Sequence, residues 1–129
     1  MIQKILMIDD DVDFTEACRN FLEVAGYEVD CESDENLAVE KVGAFKPDLI
    51  FLDVLMKTEQ GGFEIADRIC GDETLRKVPI VFLTGYFRKK LLTDRENEVI
   101  GKWDNVKGVL DKPVKPAALL EMVKKMERG

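Results

Sequence analysis

The chain has 129 residues, 46% of them hydrophobic, which suits one domain folded around a single core. Its formal net charge of -7 and its pI near 4.7 argue against direct nucleic-acid binding, because nucleic-acid binders normally present a basic face. The N-terminus enters an apolar strand at once and lacks the long apolar region of a signal peptide or a membrane span, so we expect a cytoplasmic protein without membrane association.

Cysteine usage gives no sign of a disulfide framework or a zinc site. Cys18, Cys31 and Cys70 are odd in number and widely spaced, and the chain has no CxxC pair and no histidine to complete a zinc site. We therefore expect three reduced cysteines that serve in packing.

Short apolar runs alternate with helical patterns along the whole chain. The predicted strands are, in order, KILMI, YEVDCE, DLIFL, PIVFL and NVKGVL. DLIFL is apolar throughout, as a central parallel strand buried on both faces should be. There is no internal repeat, no low-complexity tract and no Gly/Ser-rich linker, so the pattern predicts one α/β domain over residues 1–129.

Each predicted strand is followed by a predicted helix. The first helix covers the stretch from Asp13 to Ala25, with Asp13 as its N-cap and Gly26 closing it. A second helix stops at Lys46-Pro47, because the residue before proline avoids the α region. A third helix is GGFEIADRICG, an ill-defined fourth lies between Phe87 and Lys102, and the last begins at Pro116.

Chemically capable side chains stand at the ends of four of these strands. Asp9 and Asp10 follow the first strand, Asp53 the third, Thr84 the fourth and Lys112 the fifth. Because the carboxyl ends of parallel strands share one edge of the sheet, we expect these side chains to converge where such sheets bind ligands.

The acidic pair predicts a metal site. Two like charges about 4 Å apart repel by roughly 4 kcal/mol at an effective dielectric near 20, and a hard divalent cation relieves this. Mg²⁺ prefers oxygen ligands and usually keeps some waters, which suits two or three carboxylates open to a phosphate. Without histidines, and without a cysteine near the acids, zinc and copper are poor candidates.

The full set of residues predicts phosphoryl transfer to Asp53. That reaction needs an in-line carboxylate nucleophile, a metal to screen the phosphoryl oxygens, and fixed donors for the remaining oxygens. Asp9 and Asp10, with Thr84 and Lys112, supply those parts.

The chain resembles the receiver domain of two-component response regulators over essentially its whole length. The motifs that carry the resemblance are ILMIDDD, PDLIFLDVLM with GGFE after it, PIVFLTG and LDKPV. The resemblance implies a flavodoxin-like, doubly wound (βα)5 sandwich whose five-stranded parallel sheet has the order 2-1-3-4-5, with helices on both faces. It also implies that residues 1–129 form a single receiver domain.

The resemblance assigns a role to each residue at the strand ends. Asp53 would be the phosphoacceptor and Lys112 would pair with the acyl phosphate. Asp10 would ligate Mg²⁺, or Mn²⁺, directly and Asp9 would help, often through water. Asp53 itself and the backbone carbonyl of Leu55 would complete the protein's share of the metal shell.

Further residues would carry the signal to the output face, which the family builds from its fourth helix, fifth strand and fifth helix. Thr84 would move toward the phosphoryl group, and the bond from Lys112 to Pro113 is commonly cis in the family. Several positions depart from the pattern, among them Val109, which stands where an aromatic switch is frequent, and Gly85, which stands where alanine or serine is frequent. We expect the coupling of threonine to an aromatic residue to be missing or rerouted.

Two positions that influence the phosphoryl lifetime in this family are Leu55 and Tyr86 here. Both are bulky, and neither offers a carboxylate or an amide to orient water. We therefore expect slow autodephosphorylation.

The resemblance also implies the partners. The phosphoryl group would come from a histidine kinase, a phosphotransfer protein or a small phosphodonor. The output would be a domain, a downstream protein or a phosphorylation-dependent homodimer. The chain would be no enzyme beyond catalysing its own phosphorylation and dephosphorylation.

Two alternatives remain open. The run from Asp11 to Thr15 fits the DxDxT motif of haloacid-dehalogenase-like phosphatases, but KILMI ends too early for it and no acidic pair follows Lys112. The second alternative is a non-signalling receiver used only for docking or dimerisation. The intact acidic and basic residues argue against it, while Val109 leaves room for it.

Overall fold

Five parallel strands form the centre of the molecule. The computed structural model describes residues 2–54, 61–84 and 102–128, except for the side chain of Thr84. The strands pair in the order β2-β1-β3-β4-β5. They are β1 (Lys4–Ile8), β2 (Glu28–Glu32), β3 (Leu49–Asp53), β4 (Ile80–Thr84) and β5 (Val106–Asp111). Every predicted strand and the predicted strand order are confirmed.

Helices cover both faces of the sheet. Those of the described residues are α1 (Val12–Val24), α2 (Ala38–Phe45), α3 (Gly61–Cys70) and α4 (Pro116–Arg128). One core cluster joins the sheet to α2 and α3, and a second joins it to α1 and α4. The doubly wound α/β architecture is therefore confirmed. The predicted helix between Phe87 and Lys102 lies outside the described residues, apart from Lys102 itself.

The strand sequences explain the two cores. In β1, Leu6 and Ile8 join one cluster while Ile5 and Met7 join the other, because successive side chains of a strand point to opposite faces. All five residues of β3 are buried, as expected of a central parallel strand.

The start of α1 corrects one prediction. Asp11, and not Asp13, caps the helix: its backbone is extended, and its side chain accepts a hydrogen bond from the Phe14 amide at 3.1 Å. Asp13 lies in the first turn, where its negative charge interacts favourably with the positive end of the helix dipole. At the other end Gly26 has a φ of +104°, a conformation that favours glycine.

Two other helix ends follow from the sequence. Helix α2 ends at Phe45, and Lys46 adopts a left-handed conformation with φ 55° immediately before Pro47. Helix α3 begins against the end of β3, where the Gly62 amide donates a hydrogen bond to the carbonyl of Val54 at 3.0 Å.

All three cysteines are free thiols. Cys18 is buried, and Cys31 and Cys70 are half-buried. Within residues 2–54, 61–84 and 102–128, no helix has the length and apolar character needed to cross a membrane.

Candidate functional site

Three carboxylates meet at the carboxyl edge of the sheet. Asp9 follows β1, Asp10 comes next, and Asp53 ends β3, which is the neighbour of β1. One oxygen from each lies within 4.8 Å of the others. Asp9 and Asp53 are buried, with 1% and 3% exposure, whereas Asp10 is exposed. We call this cluster of Asp9, Asp10 and Asp53 the acid pocket.

Lys112 reaches into the acid pocket from the end of β5. Its ammonium nitrogen lies 2.7 Å from Oδ2 of Asp9 and 3.6 Å from Oδ2 of Asp53. The peptide bond from Lys112 to Pro113 is cis. The ammonium also lies 5.0 Å from the ring centre of Phe14, on the first turn of α1.

The environment of Lys112 keeps it charged. Burial lowers the pKa of its ammonium, but the hydrogen bond and charge of Asp9 and the charge of Asp53 outweigh that effect, so the pKa is raised above its ordinary value. The charge is therefore retained at neutral pH and offsets part of the negative charge of the acid pocket.

The donor set fits a hard divalent cation. Oδ1 of Asp9 accepts the backbone N–H of Asp11 at 2.9 Å. Oδ2 is buried, and its partner among the described residues is the ammonium of Lys112 at 2.7 Å. Among the described residues, three carboxylates surround one ammonium and leave excess negative charge, and oxygen ligands with one exposed member suit Mg²⁺ or Mn²⁺.

Thr84 ends β4, beside the acid pocket. Its neighbour Leu83 pairs with Asp53, and Thr84 itself pairs with Asp111 at the end of β5. Nothing is described of the Thr84 side chain, and Leu55, Gly85 and Tyr86 lie outside the described residues.

Val109 lies in the middle of β5, opposite Phe82 of β4. It is half-buried and packs against the core cluster that includes Phe82. Pro113 is exposed.

The sequence alone did not reveal two residues of this region. Phe14 places its ring beside Lys112, but its helical spacing marked it only as a core residue. Asp11 supports the acid pocket through its backbone N–H, while its side chain caps α1. That capping role also argues against Asp11 as the nucleophile of a phosphatase motif.

The chain belongs to the response regulator receiver domain family, whose model matches residues 5–124. Protein Rrf1 of Nitratidesulfovibrio vulgaris is 28% identical over 127 residues, which cover 95% of this chain and 81% of Rrf1. The DNA-binding response regulator MtrA of Mycobacterium tuberculosis is 31% identical over 124 residues, which cover 96% of this chain but 50% of MtrA. The chain thus spans about half the length of some curated relatives.

Solved structures support the same assignment. The chemotaxis protein CheY4 of Vibrio cholerae aligns with a TM-score of 0.80 at 28% identity, covering 97% of this chain and 98% of CheY4. The receiver assignment made from the sequence motifs is therefore confirmed.

Proposed function

We propose that this receiver domain accepts a phosphoryl group on Asp53 and, in response, switches conformation to control an output domain or a partner protein. The observation that carries the proposal is the position of the Asp53 carboxylate, which is buried at the end of the central strand, within 4.8 Å of two further carboxylates and 3.6 Å from Lys112. A buried carboxylate with a nearby ammonium is placed to react with an anionic phosphodonor.

The transfer requires one bond to form and one to break. An oxygen of Asp53 attacks the phosphorus, and the bond from phosphorus to the leaving group breaks, with its electron pair departing on that group. The ammonium of Lys112 stabilises the added negative charge, and the hydroxyl of Thr84 donates a hydrogen bond to a phosphoryl oxygen. The leaving group belongs to a histidine kinase, a phosphotransfer protein or a small phosphodonor.

Asp9, Asp10 and Asp53 would hold Mg²⁺ or Mn²⁺, together with the backbone carbonyl of Leu55. When bound, the cation supplies charge screening for the phosphoryl oxygens. The chain's own part is to hold these carboxylates together before the donor arrives, and Lys112 keeps them together by offsetting their repulsion.

The signal of phosphorylation would be received by an attached domain or by a partner protein. MtrA is named as DNA-binding, but this chain spans 50% of it, and the net charge of -7 favours a receiver that does not itself touch nucleic acid. A downstream protein, an attached domain or a phosphorylation-dependent homodimer would receive the signal, in the cytoplasm. We propose that residues 1–129 act as one unit whose only chemistry is on its own Asp53.

The test is the intact mass of the protein after incubation with acetyl phosphate and Mg²⁺. We expect one phosphoryl adduct that requires Mg²⁺ and is absent from Asp53→Asn. Asp13→Asn is the matched control, because it removes an exposed carboxylate of the same acidic run that lies outside the acid pocket. An adduct that persists in Asp53→Asn would contradict the proposal, and no adduct in the wild type would favour a docking module.

A further inference from the structure

Among the described residues, three aromatic rings form one cluster on the α3 side of the sheet. The rings of Phe63 and Trp103 are stacked, with centroids 5.7 Å apart and planes at 20°. Phe82 meets both of them edge-on, at 5.4 Å from Phe63 and 5.6 Å from Trp103. Each such contact contributes about 0.5–1.5 kcal/mol beyond area burial, so we treat these rings, the aromatic trio, as one packed unit.

One end of the aromatic trio is tied to Asp53 through the backbone. Phe63 directly follows Gly62, whose amide bonds to the carbonyl of Val54 at 3.0 Å. A Cβ on Gly62 would collide with the carbonyl of Asp53, so no space separates the end of β3 from the first turn of α3. A displacement of the backbone at Asp53 therefore displaces Phe63 as well, because close-packed atoms leave no empty space between the two segments.

The other end of the trio is tied to the start of β5. The indole N–H of Trp103 donates to Asp67 of α3 at 2.7 Å, one helical turn after Phe63. The carbonyl of Trp103 accepts the amide of Val106, the first residue of β5, at 3.2 Å. Trp103 is 5% exposed, so a change in the rings around it changes its own packing.

The third ring connects the trio to the neighbouring strands. Phe82 is fully buried in β4 and stands opposite Val109 of β5. The trio therefore touches α3, β4 and the approach to β5, while Val109 itself offers no ring.

We infer that the aromatic trio couples the state of Asp53 to the start of β5, with Trp103 as its last member. The inference rests on the proposed phosphorylation of Asp53. Packed clusters change between discrete arrangements, so a group added at Asp53 would shift the population of two arrangements of these rings. Trp103 would then report, from its position against α3, whether Asp53 carries the phosphoryl group.

Trp103 is the only tryptophan in the chain, so its emission tests the inference directly. Emission and intact mass are measured on the same sample during reaction with acetyl phosphate and Mg²⁺. We expect the emission change to grow in proportion to the phosphoryl adduct and to be absent from Asp53→Asn. An adduct without any emission change overturns the inference and leaves the proposed function standing. The absence of an adduct overturns the proposed function and the inference with it.

Two variants test the route itself. Phe63→Leu should take up the phosphoryl group as the wild type does but lose most of the emission change. Asp67→Ala removes the acceptor of the indole N–H. Because Asp67 is exposed, this substitution leaves no core cavity, and the variant can be measured even if Phe63→Leu folds poorly. Glu64→Ala is its matched control, an exposed acid on the same helix. A full wild-type response in both Phe63→Leu and Asp67→Ala would overturn the inference.

Discussion

Lys112 lies closer to Asp9 than to Asp53. Its ammonium nitrogen is 2.7 Å from Asp9 and 3.6 Å from Asp53, so in this structure the buried member of the acidic pair is its main partner. The side chain of Asp9 has no exposed surface, whereas that of Lys112 is 25% exposed. The lysine therefore serves as the internal counter-ion of the acid pocket.

Removing this counter-ion should destabilise the metal-free protein. In Lys112→Met, the buried carboxylate of Asp9 loses its ammonium partner. We expect the free energy of unfolding to fall by about 1–3 kcal/mol, which is less than for a fully buried pair because Lys112 is partly exposed. Urea unfolding with and without Mg²⁺ measures this, and Mg²⁺ should stabilise the variant more than the wild type. Lys41→Met, which breaks a surface pair with Asp30, is the control. Equal losses in the two variants would contradict this account.

Cys18 should make stability fall at alkaline pH. Burial, and next the charge of Asp9, raise the pKa of its thiol from 9.0 to about 12. The thiol of the unfolded chain ionises first, so this contribution to stability is complete below pH 9 and is lost between there and pH 12.

Cys18→Ala isolates this effect. The variant loses packing at every pH but has no thiol to titrate. Its deficit in unfolding free energy should therefore shrink by about 1–2 kcal/mol between pH 8 and about pH 10.5. Urea unfolding of both proteins at the two pH values provides the measurement. A deficit that does not change with pH would show that the thiol ionises alike in the folded and unfolded chains.

Two glycines should respond oppositely to alanine. Gly62→Ala would drive a Cβ into the carbonyl of Asp53, and we expect it to destabilise the protein by about 2 kcal/mol or more. Gly43 lies in α2, exposed and with no atom within 4 Å of an added Cβ, so Gly43→Ala should stabilise by about 0.5–1 kcal/mol. Thermal unfolding compares them, and similar shifts of Tm in the same direction would refute the close approach at Gly62.

The phosphoryl group on Asp53 should be long-lived. Leu55 and Tyr86 are bulky and carry no group to orient an attacking water. Leu55→Asn supplies an amide and should accelerate loss of the adduct, followed by intact mass after removal of the phosphodonor. A half-life of seconds in the wild type would count against this prediction.

The strands and their shared carboxyl edge could be predicted from the sequence because each strand is marked by the residue types within its own short segment. Apolar runs such as KILMI and DLIFL mark buried parallel strands, and a residue that follows such a run must lie at the carboxyl edge. The convergence of Asp9 with Asp53 follows from that geometry alone.

Other features could not be predicted because no residue pattern in the neighbouring sequence indicates them. The choice of Asp11 over Asp13 as the cap depends on the backbone dihedrals of one residue. The stacking of Phe63 on Trp103 joins positions far apart in the chain, so neither residue reveals it in its own surroundings.

The burial of β3 has a consequence for where motion can occur. β3 lies between β1 and β4 with all five of its residues buried, so its amide hydrogens should be among the slowest in the protein to exchange with solvent. Asp53 is the last residue of that strand. A phosphoryl group attached to Asp53 would therefore sit on a strand that opens slowly, and we expect most of the structural adjustment that it causes to occur in the helices and strands packed around β3.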